Sequence, residues 1–149
     1  MRSNLPVTGK EYVLTDDDMI VSKTDLKGRI TYINKDFLAI SGFTEAELIG
    51  EPHNIVRHPD MPVEAFEDMW RDLKAGRPWT GYVKNRCKNG DHYWVIANAT
   101  PIWESGQVTG FMSVRRKPDG AVVRQIEDTY RKFREKKQGG LKIRHGAVI

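Results

Sequence analysis

The sequence is poor in cysteine and has no long apolar run. Only one of its 149 residues, Cys87, is a cysteine, which excludes an internal disulfide and predicts a reducing, cytoplasmic environment. The opening residues, MRSNLPVTGKEY, lack the apolar core of a secretory signal. No segment approaches the roughly 18 apolar residues of a membrane helix, so any membrane attachment is expected to lie outside this chain.

Motifs of common enzymes and metal sites are also missing. The sequence has no Gly-x-Gly-x-x-Gly, Walker, Gly-x-Ser-x-Gly or His-Glu-x-x-His pattern, so we predict that it is not an enzyme. With no Cys-x-x-Cys and no recognisable histidine spacing, no metal site is predicted. The length allows one domain with a short appendage.

The basic excess is confined to the end of the chain. The formal net charge is +4, but residues 1–123 are close to neutral and residues 124–149 carry the surplus of Lys and Arg. No zinc-finger spacing or repeated basic-aromatic pattern accompanies it, so nucleic-acid binding is not predicted. A basic tail that lies near a partner or an anionic surface explains the bias equally well.

Hydrophobic periodicity and capping signals predict the elements of the first half. A polar arm, residues 1–18, precedes strands at 19–24 and 29–33. Asn34 is placed to cap a short helix, and Thr44 with Glu47 forms a capping-box pattern for another. A longer helix is predicted from Asp60 to about residue 75, with Pro62 in its first turn and an apolar stripe of Phe66, Met69, Trp70 and Leu73.

The second half is predicted to be rich in strands. Strands are expected at 80–87, 92–102 and 107–116, followed by an amphipathic helix at 121–137 that stops at Gly139 and Gly140. We divide the chain into an arm (1–18), a core domain (19–118) and an exit helix with a basic tail (119–149). The fold class is α+β: a five-stranded antiparallel sheet with short helices over one face and a pocket between the layers.

Several long segments then identify a family. The runs GRITYIN (28–34), SGFTEAELIGEPHNIVRHPDMP (41–62), FEDMW (66–70) and GRPWTGYVKNRCKNGDHYWVIANATP (76–101) closely resemble the PAS sensor domains of bacterial aerotaxis receptors. The resemblance covers roughly residues 7–117, and residues 141–149 resemble the segment that follows PAS in those receptors.

The resemblance implies a cofactor and a signalling role. Domains of this family bind FAD non-covalently and report the redox, oxygen or respiratory state of the cell. Their output passes to a HAMP domain and a methyl-accepting signalling region beyond a membrane anchor, all outside this chain. A homodimer is compatible with the family, and the sequence leaves open whether the chain works as part of a receptor or by touching another protein.

The segment from His53 to Asp60 supplies the first candidate contacts to FAD. Arg57 is the leading one, because a planar guanidinium suits the pyrophosphate. His58 is expected to donate to the cofactor or to shape the loop, and Asp60 to orient Arg57 or cap the helix. The alternative is that Arg57 and Asp60 form a surface ion pair.

Asn85 is the candidate for the flavin ring edge, where an amide can both donate and accept. Two hairpin registers are open. A two-residue turn pairs Asn85 with Trp94, whereas a bulge at Gly90 sets Asn85 beside Tyr93 and directs it into the pocket. We favour the second, because Lys-Asn-Gly-Asp suits it and flavin-binding PAS relatives carry asparagine at the matching place. Asn98 is predicted to face outward.

Two further residues complete the candidate set. Trp79 could stack on a flavin or adenine ring, or simply fill the core. Asn34 is a helix cap that the resemblance places near the cofactor. Cys87 does not match the reactive cysteine of blue-light PAS domains, so no flavin-cysteine adduct is expected.

Two alternatives to an FAD sensor remain at this point. One is a PAS domain without cofactor that serves for dimerisation or docking through its sheet face or its exit helix. The other is a PAS domain that holds haem through a single histidine.

Overall fold

A computed structural model describes residues 4–136 and 139–149. Its core is one five-stranded antiparallel sheet in the order β2-β1-β5-β4-β3. The elements run β1 (Met19–Thr24), β2 (Ile30–Ile33), α1 (Lys35–Ser41), α2 (Glu45–Leu48), a 3₁₀ turn (His53–Val56), α3 (Val63–Lys74), β3 (Trp79–Arg86), β4 (His92–Glu104), β5 (Gln107–Arg116), α4 (Gly120–Arg134), β6 (Ile143–Arg144) and β7 (Ala147–Val148). The predicted fold class and its five strands are confirmed.

The helical segment between β2 and β3 connects opposite edges of the sheet, so it must cross one face. Both predicted caps are present: the Asn34 side chain accepts from the Phe37 amide, and Thr44 and Glu47 form a reciprocal capping box. These side chains satisfy free amides in the first turns of α1 and α2, so both short helices can begin close to the sheet. The segment thereby covers the inner face and leaves a cavity beneath it.

The long helix begins later than predicted. Pro62 is the residue before α3 rather than part of its first turn, and it is extended, with ψ of 142°. Residues 57–61 instead run beside the edge strand β3, where the Arg57 backbone bridges to Asn85 and the Lys84 amide donates to Met61 Sδ. The residue before a proline also disfavours helix, so pairing with the sheet prevails at this point.

The favoured hairpin register is confirmed. Asn85 lies opposite Tyr93, and Gly90 has a φ of 98°, which a glycine adopts without the strain of a Cβ. Lys84 and Trp94 therefore share the other face of the sheet, where Trp94 stacks on Tyr130 of α4 at 6.3 Å. The exit helix is thus anchored on the outer face and along the β3 edge, where Tyr130 Oη donates to the Tyr82 carbonyl at 2.8 Å.

The two ends of the chain contribute more than the sequence indicates. The arm lies along the β3–β4 hairpin and buries Leu14 completely. Residues 141–149 are expected from sequence to be a basic tail, yet they contain a two-stranded hairpin whose turn, His145-Gly146, has φ angles of 53° and 83°. These positive φ values are typical of a type I′ turn, and the missed signal is the dipeptide His-Gly between the short segments Ile143-Arg144 and Ala147-Val148. The predicted helix end at Lys137 lies outside the described residues, and α4 ends at Arg134.

Candidate functional site

A cavity of about 550 Å³ lies between the inner face of the sheet and α3, within the usual size range of small-molecule sites. The predicted apolar stripe of α3 forms one wall, and small side chains of β4 form the opposite wall. The lining residues are Ser22, Thr24, Leu26, Lys27, Gly28, Pro52, His53, Asn54, Arg57, Phe66, Met69, Trp70, Leu73, Lys74, Trp79, Val83, Asn85, Ala97, Ala99, Phe111, Met112, Ser113 and Arg115.

Cationic side chains in this lining have no acidic counterpart. Arg115 is buried, Arg57 is half-buried, and Lys27 and Lys74 are exposed at the rim, whereas none of the described lining residues is Asp or Glu. A buried positive charge without a carboxylate is costly in free energy, and proteins usually avoid it unless a ligand supplies the negative charge. The cavity is therefore suited to an anionic occupant.

Arg115 is the deepest of these cations. It is 3% exposed and lies on β5 opposite Ile20 of β1, two residues from Ser22 on the same face. Nη2 donates to Ser22 Oγ at 2.8 Å, Nη1 donates to His53 Nε2 at 3.0 Å, and Nε has no partner. The guanidinium also lies over the Phe37 ring at 5.2 Å. Burial lowers the pKa of Arg115 to about 10, which leaves it charged near neutral pH.

His53 is held neutral beside Arg115. Burial and then the charge of Arg115 lower the pKa of His53 to about 3. Since Arg115 donates to Nε2, this nitrogen is the acceptor, and the neutral ring carries its proton on Nδ1. Ser22 Oγ is 3.0 Å from the same nitrogen. The three side chains form a network that fixes the orientation of the guanidinium.

Arg57 enters the cavity from the opposite side. Its backbone bridges to Asn85, and because paired residues point to the same face, both side chains reach the inner face. The guanidinium lies over the Phe66 ring at 3.8 Å, and its Nε is buried without a partner. Burial lowers the pKa of Arg57. The side chain of Asn4 in the arm donates to the carbonyls of Asn54 and Arg57, so the arm supports this segment.

Asn85 and Trp79 occupy the β3 side of the cavity. Asn85 is 4% exposed and stands beside the buried Tyr93, whose pKa is raised, chiefly by burial. Trp79 is 2% exposed, and its Nε1 donates to Asp68 Oδ2 at 2.7 Å. The Trp79 ring covers Gly81 so closely that a Cβ at Gly81 would be 2.4 Å from it. Glycine at that position therefore makes room for the indole.

Unpaired polar atoms concentrate at this cavity. Within the described residues, five buried side-chain atoms lack a partner: Thr24 Oγ1, Asn54 Oδ1, Arg57 Nε, His92 Nδ1 and Arg115 Nε. All but His92 belong to lining residues. Since an unsatisfied buried polar group costs about 1–3 kcal/mol, such a cluster indicates groups kept ready for a ligand.

Two of the predicted site residues lie on the other side of the β3 edge. His58 and Asp60 do not line the cavity; Asp60 Oδ2 accepts from Lys84 Nζ at 2.8 Å, and the Asp60 amide donates to His58 Nδ1. Burial, followed by the charge of Lys84, lowers the pKa of His58 to about 4. The His58 ring makes an edge contact with the His92 ring at 5.8 Å. These residues hold the segment next to Arg57 from outside.

Asn34 also lies outside the cavity wall. Its Oδ1 accepts from the amides of Phe37 and Val21, and its Nδ2 donates to the Met19 carbonyl. These bonds join α1 to β1, so the side chain is a cap whose polar atoms are already used.

Comparison with known proteins establishes the family. The family model described as "PAS fold" matches residues 30–115, more than half of the chain. The chain belongs to the PAS family.

The PAS domain described here is 50% identical over 131 residues to the aerotaxis receptor of Escherichia coli, covering 88% of this chain and 26% of that protein. It is 28% identical over 97 residues to the nitrogen fixation regulatory protein of Klebsiella pneumoniae, covering 64% of this chain and 20% of the relative. The chain thus spans about a quarter or less of these relatives. They are signalling proteins, which confirms a sensory PAS domain in signal transduction rather than an enzyme.

Solved structures agree on the fold. A Light-Oxygen-Voltage domain studied with a flavin analogue superposes with a TM-score of 0.64 at 20% identity, covering 74% of this chain and 84% of that one. The PAS domain of a Colwellia psychrerythraea protein superposes with a TM-score of 0.57 at 25% identity, covering 67% of this chain and 86% of that one.

Sequence reasoning assigned no role to three residues that the structure shows to be important, Ser113, Arg115 and Asp68. It does not decide the orientation of Ser113 and Arg115 on the last strand, and the structure turns both into the cavity. Asp68 is hidden in the helix pattern, although it is 1% exposed. Alternation along β5 allows the Arg115 side chain to point to either face of the sheet. The register of β5 against β1 and β4 decides which face it is, and this register cannot be read from β5 alone.

The rest of the described chain shows neither a metal site nor a membrane span. No group of three His, Cys, Asp or Glu side chains suited to a metal is found among the described residues. No helix in the described ranges is long and apolar enough to cross a membrane.

Proposed function

We propose that this PAS domain binds FAD without a covalent bond and signals the redox state of its flavin. The observation that supports the proposal most is the cavity itself, which combines the buried Arg115 and half-buried Arg57 guanidinium groups, no described carboxylate in its lining and four buried polar atoms without partners. An anionic, partly aromatic ligand with many hydrogen-bonding groups satisfies all three features. When bound, FAD supplies a ring that gains electrons and protons on reduction.

The residues of the chain divide the binding task. Arg57 and Arg115 stand at two sides of the cavity and each offer a partnerless Nε, so both favour negative charge. Asn85 presents an amide that can donate or accept, as an edge with both kinds of group requires. The aromatic side chains of Phe66, Trp70 and Trp79 provide flat walls. His53 orients Arg115 and, being neutral, adds no charge.

His58 and Asp60 enter the proposal as indirect contributors. They brace the Arg57 segment from outside through Lys84, and Arg134 of α4 donates to the Asp60 carbonyl at 2.6 Å. A displacement of Arg57 can therefore be transmitted to α4 through the backbone of residues 57–60 and the hydrogen bond from Arg134 to the Asp60 carbonyl. We propose that Asn85 and this bracing segment carry the change in the flavin to partners.

The wider role follows the aerotaxis relative. We propose that the domain acts in the cytoplasm and passes its state to a HAMP and methyl-accepting region or to a partner protein, as a monomer or a homodimer. The chain matches only a quarter of the aerotaxis receptor, so these parts belong to the proposal rather than to the described structure.

The alternatives fit the cavity less well. A docking domain without a cofactor has no use for a guanidinium that is buried without a carboxylate in the cavity lining, such as that of Arg115, because this charge reduces its stability. For haem, His53 is the one histidine in the described lining, and its Nε2 is already engaged by Arg115 and Ser22. Cys87 does not line the cavity, its Sγ donates to the Ile40 carbonyl, and burial raises its pKa to about 11, so a cysteine adduct is not part of the proposal.

The test begins with the absorption spectrum of the purified protein, and with acid release and chromatography of any bound molecule. Flavin bands that bleach on reduction by dithionite, with FAD as the released species, support the proposal. Release of FMN would correct the cofactor, and a Soret band would favour haem. A colourless protein that also fails to bind added FAD would refute the proposal and leave the docking domain.

A further inference from the structure

One buried carboxylate, that of Asp68, joins the cavity wall to the C-terminal hairpin. Asp68 Oδ2 accepts from Trp79 Nε1 at 2.7 Å and from the Gly146 amide at 2.8 Å. Its Oδ1 accepts from the His145 amide at 3.2 Å and from Arg71 at 3.0 Å. A single oxygen atom is thus shared by an indole that lines the cavity and by the tip of the hairpin.

The hairpin tip also sits directly on the strand that carries the indole. A Cβ at Gly146 would lie 1.5 Å from the Thr80 carbonyl oxygen, between Trp79 and Gly81. The Trp79 ring lies over the neighbouring Gly81, where a Cβ would be 2.4 Å from it. The indole and the hairpin tip therefore pack closely on adjacent residues of β3, and close-packed groups transmit displacement to their neighbours.

Two further contacts hold the hairpin on the domain. His145 Nδ1 lies 2.8 Å from Asp72 Oδ2, one turn further along α3, and Ile143 is buried against the core. Asp72 also accepts from Arg77, so it keeps a partner when the hairpin leaves. Asp68 differs from Asp72 because it accepts a hydrogen bond from Trp79, a residue of the cavity lining, whereas the described partners of Asp72 are Arg77 and His145.

We infer that Asp68 is a positioning residue that couples the cavity to residues 141–149, so that hairpin docking reports how Trp79 is held. When Trp79 keeps its bond to Asp68, the carboxylate is oriented to receive both amides of the turn. When the indole is displaced by an occupant, Asp68 loses its orientation and the hairpin loosens. Because coupling is reciprocal, loss of the hairpin must also change the environment of the indole.

The decisive experiment follows amide hydrogen exchange and indole ¹⁵N–¹H resonances by NMR in the FAD-free protein. In Trp79→Phe, which keeps the aromatic ring but removes the donor, the Gly146 and His145 amides should exchange roughly fivefold faster or more. In a variant lacking residues 141–149, and in Gly146→Ala, the Trp79 indole resonance should shift. Gly146→Ala provides the second route should the deletion fail to fold.

Two matched controls separate coupling from general loosening. Trp70→Phe changes another cavity-lining tryptophan that makes no described bond to Asp68, and Trp103→Phe changes an exposed one. Both should leave the hairpin amides unchanged. If Trp79→Phe leaves His145 and Gly146 exchange at the wild-type rate, and the Trp79 resonance is the same without the hairpin, the inference is wrong. A uniform rise in exchange across the domain would also contradict it.

The same measurement with FAD rests on the proposed function. Added FAD should change the exchange of the hairpin amides in the wild-type protein and much less in Asp68→Asn. If FAD fails to bind at all, the proposed function fails, whereas the coupling between Trp79 and the hairpin is still decided by the variants. If FAD binds and the hairpin amides do not respond, the coupling fails and the cofactor assignment stands.

Discussion

Substitution of Arg115 should have opposite effects on the stability of the FAD-free protein and on the affinity for FAD. Arg115→Met keeps the length of the side chain and removes the charge. In the wild-type protein the guanidinium is fully buried, bonds only to uncharged groups and has an unpaired Nε. After substitution, Ser22 Oγ and His53 Nε2 still lie within 3.0 Å of each other, so neither loses its last partner.

The expected magnitudes follow from this arrangement. Removing a buried charge without leaving an unsatisfied group should stabilise the FAD-free protein by about 1–3 kcal/mol. Binding should weaken at the same time, since a hydrogen bond to a charged group contributes about 1.5–3 kcal/mol, or roughly 10- to 100-fold in the dissociation constant.

The assay is urea unfolding of the FAD-free proteins, followed by titration of each with FAD. Arg77→Met is the matched control, because Arg77 is half-exposed, pairs with the buried Asp72 and does not line the cavity. That variant should lose stability and keep its affinity for FAD. If Arg115→Met destabilises the FAD-free protein and binds FAD as tightly as the wild type, the reasoning that this charge is kept for a ligand is wrong.

Three further predictions concern the surroundings of the cavity. Since the pKa of His53 is about 3 in the folded protein and 6.5 otherwise, its stabilising effect is present above pH 6.5 and is lost as the pH falls. Between pH 6.5 and about 5.5, His53 should contribute ~1 kcal/mol to the loss of unfolding free energy, beside the contributions of His58 and His92, whose pKa values are also lowered. His53→Asn should remove its own share, and an unchanged slope in the variant would contradict this. Gly81→Ala should lower stability by about 1–3 kcal/mol by pressing on Trp79, as measured by thermal unfolding, whereas Gly9→Ala, with open space around it, should not. Asp60→Ala should reduce the stability of the FAD-free protein by ~1 kcal/mol, because the buried Lys84 loses its nearest carboxylate. Arg57→Ala should instead reduce the FAD content after purification. If the two variants lost the same amount of FAD, Asp60 would belong to the binding site itself.

Much of the fold could be predicted because its signals are local. Apolar alternation and turn residues placed strands β1 and β5 at their observed limits, and the caps at Asn34 and Thr44 depend only on residues three positions away. The predicted start of α3 was wrong because a competing partner, the edge of β3, is remote in sequence. The C-terminal hairpin was missed because two strands of two residues have no periodicity to detect.

The candidate site shows the same division. The family follows from the length and specificity of the motifs, and it was this resemblance that assigned Arg57 to an anion and Asn85 to a ring edge. Whether Arg57, His58 or Asp60 lines the cavity depends on the side of the β3 edge on which each side chain lies, since successive side chains of an extended segment point to opposite faces.

The sequence by itself determined the family, the five strands and three of the polar residues around the cavity, His53, Arg57 and Asn85. Only the tertiary structure decided that Arg115 is buried with no carboxylate nearby and that Asp68 serves the cavity wall and the C-terminal hairpin together. The physical reason is that a charge acquires its cost and its partners from burial, and burial here is produced by segments more than 60 residues apart, such as His53 with Arg115 and Asp68 with Gly146.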